Sequence, residues 1–270
     1  MEVGTDVSWK PIHQAHAIER VRISIQFQGP VPAPMAEIVG SMFDARREAL
    51  GFNPRTDTAA AQFVFDHTQV AQAARKVVSA GWQASRLLHN GNVIEVIGLE
   101  PSAFVHEIAE YTRWANHLER YSTVCGDLIA KLREGGIPAA LALEYFDRFV
   151  FHGSLSEASP KGLLVKDILP LLPDEAAKGS ELWHIHRGWY ERVGSSRLLV
   201  NQNFDVQDGI SPVGTAIRTL SLYSKVEKAA HSNPIDLKNF AADLEELHAL
   251  SRRVLERTLV PAAKKAINLV

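Results

Sequence analysis

A single cysteine, Cys125, stands in 270 residues. One thiol closes no internal disulfide and builds no cysteine-rich zinc site. An excess of one charge is missing too. The 29 Lys and Arg face 31 Asp and Glu, a formal charge of −2, so the basic excess of most nucleic-acid and anionic-membrane binders is absent. No run of about 18 apolar residues occurs, and no membrane-spanning helix is expected. Neither the G-x-x-x-x-G-K-[ST] nor the G-x-G-x-x-G phosphate loop is present, and G-x-S-x-G and H-E-x-x-H are missing as well. The opening stretch MEVGTDVSWKPIHQ lacks the apolar core of a signal peptide. With the lone thiol, this predicts a reducing, cytoplasmic setting. No cofactor is called for.

What is present reads as an α+β chain. Residues 1–16 are polar and aperiodic, a flexible lead-in. Val21, Ile23, Ile25 and Phe27 then alternate with polar residues, which predicts a strand with one buried face. Met35, Ile38, Val39, Met42 and Phe43 fall at helical spacing up to Gly51. A polar loop over 52–59 leads to a short strand at Ala61, Phe63 and Phe65. Two apolar runs flank Asn90-Gly91, which predicts a two-residue type I′ hairpin with Leu88 opposite Val93, Arg86 opposite Glu95 and Trp82 opposite Leu99. From Pro101 to Leu132 the chain is expected to be helical. Its stripe is Trp114, Leu118, Tyr121, Cys125, Leu128, Ile129 and Leu132, on which Cys125 is a core thiol.

The order then recurs. Ala139–Phe151 is a long apolar strand, and Pro160 opens a helix with Leu163, Leu164, Ile168 and Leu171. Strands follow at Leu182–Arg192, Arg197–Val206 and Ala216–Lys228. Asn233-Pro234 breaks the chain, and a closing helix begins near Asp236. Each half, 17–135 and 136–260, therefore reads as strand, helix, three strands, helix. The two make either separate halves or one continuous domain, with a mainly antiparallel sheet and helices on one face.

The stretch 181–207 carries the one constellation of interest. Gly194-Ser195 suits a type II′ turn, which pairs Val193 with Ser196. That register sets Ile185 opposite Phe204 and Trp189 opposite Val200 on an apolar face. It sets His186 opposite Asn203 and His184 opposite Asp205 on the other. The following strand adds Tyr223, Lys225 and Glu227, so that face gathers imidazoles, carboxylates, amides and an amine, Asn201 among them. Three readings compete. One is the solvated side of a half-buried sheet. Another is a recognition platform for a protein, peptide or small polar ligand. The last is a metal site, in which His184 and His186 share a side and Asp205 is a third ligand. Tyr145, Asp147 and Arg148 form a secondary candidate, because charge inside an apolar strand is costly unless paired; Arg148 would be a ligand clamp. His106 and His117 in the helical stretch and His248 in the last helix lack the second histidine at i+4 that H-E-x-x-H zinc chemistry needs. Trp82, Trp114, Trp183 and Trp189 fall on faces predicted to be buried and Trp9 in the lead-in, which leaves little to stack on bases.

The first strand AIERVRISIQF (17–27), the hairpin GWQASRLLHNGNVIEVIGLE (81–100), the helix RWANHLERYSTVCGDL (113–128), the strand ALEYFDRFVF (142–151) and the closing LEELHALSRRVLERTLV (244–260) together resemble a sporadically distributed family of uncharacterised bacterial proteins. Asp147 departs from that family's usual Asn. The resemblance implies no catalytic residues; its patchy distribution points to mobile or defence-related loci. The reading is a non-enzymatic binding or assembly protein. It self-associates or takes a protein partner through His184, His186, Asn201, Asn203, Asp205, Tyr223, Lys225, Glu227 and Arg148. The alternative is a metal-dependent hydrolase, acting for instance on nucleic acid, with His184, His186 and Asp205 as ligands.

Overall fold

A computed structural model describes residues 9–64, 74–151, 153–178, 182–210, 216–230, 235 and 237–269, without the side chains of 59–64 and 74–80. The chain is α+β, and every strand register given below is antiparallel. The strands are β1 (Trp9–Pro11), β2 (Ile18–Phe27), β3 (Thr56–Val64), β4 (Ala74–Leu87), β5 (Val93–Glu100), β6 (Ala103–Ile108), β7 (Pro138–Phe151), β8 (His184–Val193), β9 (Ser196–Ile210) and β10 (Ala216–Ala229). The helices are α1 (Ala33–Asp44), α2 (Trp114–Leu132), α3 (Asp174–Lys178), α4 (Phe240–Thr258) and α5 (Pro261–Ala266). Two compact units result. One comprises Met1–Val21, Ala142–Ser232 and Ala241–Val270; the other comprises Arg22–Leu141 and Asn233–Phe240.

In the unit built on 22–141, the strand order is β3-β4-β5-β6-β2. Arg86 faces Glu95 and Trp82 faces Leu99, as the hairpin reading requires. The turn differs. A register shift follows Arg86, and Leu87 rather than Leu88 faces Val93. Gly91 has φ +84° while Asn90 is not among the positive-φ residues. Gly91 N–H donates to Leu88 O at 2.9 Å and Leu88 N–H to Asn92 O at 2.9 Å. A longer loop with a single left-handed glycine thus replaces the type I′ turn, which needs two positive φ values. The predicted helical stretch from Pro101 is also corrected: Ala103–Ile108 is β6, paired with β5 through Ile97↔His106 and Leu99↔Phe104. The polar loop is shorter than expected, since β3 starts at Thr56; Phe65 lies outside the described residues. Helix α2 buries Tyr121, Val124, Cys125, Leu128, Ile129 and Leu132. Phe43 of α1 stacks on Trp82 of β4 at 5.2 Å between ring centroids and meets Phe52 edge-on at 5.4 Å.

In the other unit, β7, β10, β9 and β8 follow in that order. Trp9 is not in a flexible lead-in. It sits in β1 opposite Phe151, only 2% exposed, and its indole N–H donates to Ser159 O at 2.9 Å. Arg148 N–H donates to Ala17 O at 2.8 Å, which lays the start of β2 along β7. The helix expected from Pro160 is replaced by 3-10 turns at 155–157, 160–162 and 169–171, followed by the short α3. Proline lacks the N–H that a longer helix needs, and Pro170 and Pro173 interrupt this one. Asn233-Pro234 and Asp236 lie outside the described residues, and α4 is assigned from Phe240. Among the described residues the two halves therefore differ in element order, with four strands between α1 and α2 and three between α3 and α4. One face of the β7–β10 sheet carries Phe149, Phe204, Val206, Leu220 and Leu222 into a core with Leu163, Leu164, Ile168, Leu259 and Ala263.

Candidate functional site

Strict alternation builds the candidate site. Along β9, Leu198, Val200, Gln202, Phe204 and Val206 are buried, while Leu199, Asn201, Asn203 and Asp205 are half-buried on the opposite face. Gly194 has φ +55° and Ser195 is not among the positive-φ residues, which fits a turn with glycine at the first central position. The register that follows sets His184 opposite Asp205, His186 opposite Asn203 and Arg187 opposite Gln202. On the other side of β9, Ser221 faces Asp205, Tyr223 faces Asn203 and Lys225 faces Asn201. Alternation in β7 puts Glu144, Phe146 and Arg148 half-buried between the buried Tyr145, Asp147 and Phe149.

A cleft of about 440 Å³ opens on this face. Six residues singled out from the sequence border it: Asp147, Arg148, His184, Asn203, Asp205 and Tyr223. His186, Asn201, Lys225 and Glu227 share the strands but do not line the cleft. Glu19, Arg20, Phe146, Gln207 and Ser221 line it without having been anticipated. Glu19 and Arg20 come from a strand more than 120 positions away in the chain, and no local pattern links them to β7 or β9.

The charges here are mostly answered from within. Arg148 pairs with Glu19 at 2.9 Å, Lys225 with Glu227 at 2.7 Å, and His184 Nδ1 lies 4.0 Å from Asp205 Oδ1. Tyr223 donates its hydroxyl to Glu144 at 3.0 Å, and His186 Nδ1 hydrogen-bonds Asn203 Oδ1. Arg20 lies over the Phe146 ring at 3.9 Å, and Phe146 meets Tyr223 at 4.9 Å. Among the described residues, no group of three or more His, Cys, Asp or Glu is placed to hold a metal ion.

The Tyr145, Asp147 and Arg148 candidate splits across the sheet. Arg148 is on the cleft side, whereas Asp147 is 2% exposed on the covered side, and its Oδ1 has no hydrogen-bond partner. Burial pushes its carboxyl up to about 7. Tyr145 shares a 2.8 Å hydrogen bond with His248 Nδ1 of α4. Burial pulls the His248 ring down to about 4, with Glu245 raising it and Arg252 lowering it.

A second buried polar centre, in the unit of 22–141, went unread beyond its Arg86–Glu95 pairing. The Glu95 carboxylate is fully buried. It accepts hydrogen bonds from His106 Nε2 at 2.8 Å, Arg86 Nε at 2.7 Å, and Arg120 Nε and Nη2, the latter at 2.8 Å. Burial alone would raise this carboxyl, but the bonds from His106, Arg120 and Arg86 hold it down to about 2. Cys125 is buried nearby and burial pushes its thiol up, which suits a core residue rather than a nucleophile. The centre is an ion cluster built on a fully buried carboxylate, with Arg86 and Arg120 partly exposed at its rim.

Comparison with protein-family models and with curated proteins finds no match to this chain.

Proposed function

We propose that the chain is a non-enzymatic binding and assembly protein that uses the half-exposed face of the β7–β10 sheet, and that the partner is a second copy of itself. The cleft among Arg148, His184, Asn203, Asp205 and Tyr223 carries this reading. Its charge balance supports a protein surface as occupant. The face presents the carboxylates of Glu19, Glu144, Asp205 and Glu227 against the cations of Arg20, Arg148 and Lys225, with two imidazoles. Such a surface has little net field to attract a highly charged ligand, and its ion pairs can exchange partners across a two-fold axis. Aromatic groups beside arginine, as at Phe146, Tyr223 and Arg20, suit the centre of an interface. The outer strand β8 offers a further edge for pairing. A mobile or defence-related genetic setting belongs to the same proposal and rests on the sequence resemblance alone.

Sedimentation velocity over a concentration series tests it, with Asn203→Trp filling the cleft and Arg148→Glu breaking the Glu19 pair. The expected result is concentration-dependent self-association of the natural chain. Each variant should weaken it at least about tenfold, roughly 1.4 kcal/mol, with little change in melting temperature. A natural chain that stays monomeric throughout the series, or variants that associate equally well, would sink the proposal.

A further inference from the structure

The opposite, helix-covered side of the same unit holds a second cavity, of about 590 Å³, remote in role from the cleft. Val165, Ile168, Trp189 and Val254 give it apolar walls. Arg187 of β8 enters it with an unusual set of neighbours. Its Nε donates to Gln202 Oε1 at 3.0 Å, and its Nη2 donates to the same oxygen. Gln202 is itself buried and held, since its Nε2 donates to Ser224 Oγ and Thr258 Oγ1 at 3.3 Å each. The guanidinium also lies 4.9 Å from the Trp189 ring centroid and 5.6 Å from that of Phe204. Arg187 is thus fixed by a buried relay and two aromatic faces. Among the described residues its Nη1 has no hydrogen-bond partner and no carboxylate pairs with it.

The remaining charges around the cavity sort into paired and unpaired. Arg257 is bound to Glu191 at 3.1 Å and Glu256 to Arg252 at 3.1 Å. Lys264 and Asp167, like Arg187, have no such partner among the described residues. Two unpaired cations against one exposed carboxylate leave a single positive charge inside apolar walls. A cation kept half-buried without a counter-ion is costly, and an anion that enters with its own apolar body removes that cost. Guanidinium and carboxylate match in a planar, bidentate way, and the pocket volume suits a small organic molecule.

We infer that this cavity is a binding site for a small organic monocarboxylate with an aromatic or aliphatic body, its carboxylate on Arg187 and Lys264 and its body against Trp189, Ile168 and Val254. A phosphate monoester fits less well, because it brings a second negative charge beside Asp167. The site is independent of the cleft and of the assembly reading.

Isothermal titration of the full chain with phenylacetate, octanoate and phenyl phosphate tests the inference, with phenylacetamide as the uncharged control. At least one of the two carboxylates should bind saturably at one site, with phenylacetamide at least tenfold weaker. The same ligand should shift the indole N–H resonance of Trp189. Arg187→Gln should lower carboxylate affinity at least tenfold. Should that variant lose its fold with the Gln202 bond, Lys264→Glu, at a half-exposed position, supplies the reading and should abolish binding. Any of four results would overturn the site: neither carboxylate binding, the amide binding as well as the acid, a silent Trp189, or phenyl phosphate binding tighter than both acids.

Discussion

Replacing Glu95 by Gln should lower the stability of its unit by about 3–5 kcal/mol, the cost typical of stripping one partner from a buried ion cluster. The side chain is fully buried, and three residues converge on it. Glutamine keeps the shape but removes the charge, and it places an amide N–H₂ where a guanidinium or imidazole N–H now points. His106, also fully buried, has no route to water. Arg86 and Arg120 are 29% and 27% exposed and recover part of their loss by solvation. Chemical denaturation of the natural chain and the variant measures the difference. A double-variant cycle identifies its origin: Arg120→Met should cost much less in a Glu95→Leu background than in the natural chain, since its counter-ion is already gone. The pH dependence has a fixed sign. The folded carboxyl is held near 2 against an ordinary 4.5, so the stabilisation is complete above about pH 4.5 and is lost as pH falls toward 2. Glu95→Gln should remove that acid-limb loss. A variant within about 1 kcal/mol of the natural chain, or with an unchanged acid limb, would show that the cluster contributes little.

Much of this geometry was legible where one local rule settled a long register. The Gly194-Ser195 turn and period-two sorting gave all the β8–β9 pairs named from the sequence, because a one-residue slip would have buried His184 and exposed Phe204. Arg86 and Glu95 were legible as a cross-strand pair, yet nothing local revealed that Arg120 and His106 also converge there. His106 was placed on a helix, since Phe104, Val105 and Ile108 do not alternate cleanly; both faces of β6 are largely buried, which erases the strand period. The 3-10 region fails for the opposite reason. Leu163, Leu164, Ile168 and Leu171 have helical spacing, but the prolines decide the backbone. The Glu19 and Arg20 wall of the cleft was illegible because these residues reach it only through a long-range pairing with β7. Trp9 was misplaced for the same reason, its partner Phe151 lying at the far end of that strand.

Asp147→Asn should stabilise its unit by an amount that grows with pH, by on the order of 4 kcal/mol between pH 4 and pH 7, and then stays constant. The folded carboxyl is pushed up to about 7 by burial against an ordinary 3.8. Below pH 3.8 both folded and unfolded chains carry the proton and the acid imposes no pH-dependent penalty. Between 3.8 and 7 the unfolded chain ionises while the folded one stays protonated, so stability falls by up to about 1.4 kcal/mol per pH unit. Above 7 both are ionised and the fall stops. His248 works against this. Its folded ring is pulled down to about 4 from 6.5, so the unfolded chain binds more protons between those values and stability rises with pH there. In the natural chain the two slopes largely cancel from pH 4 to 6.5. In Asp147→Asn the His248 slope should emerge alone, as a rise in stability over that interval. Tyr145→Phe in the natural chain removes the hydroxyl that bonds His248 Nδ1 without adding a charge, so it should lower stability while leaving the Asp147 dependence in place. Denaturant midpoints from pH 4 to 8 for the natural chain and both variants measure these slopes. A difference between the natural chain and Asp147→Asn that does not vary with pH would mean that Asp147 is ionised in the folded protein, with a counter-ion or water inside the covered face.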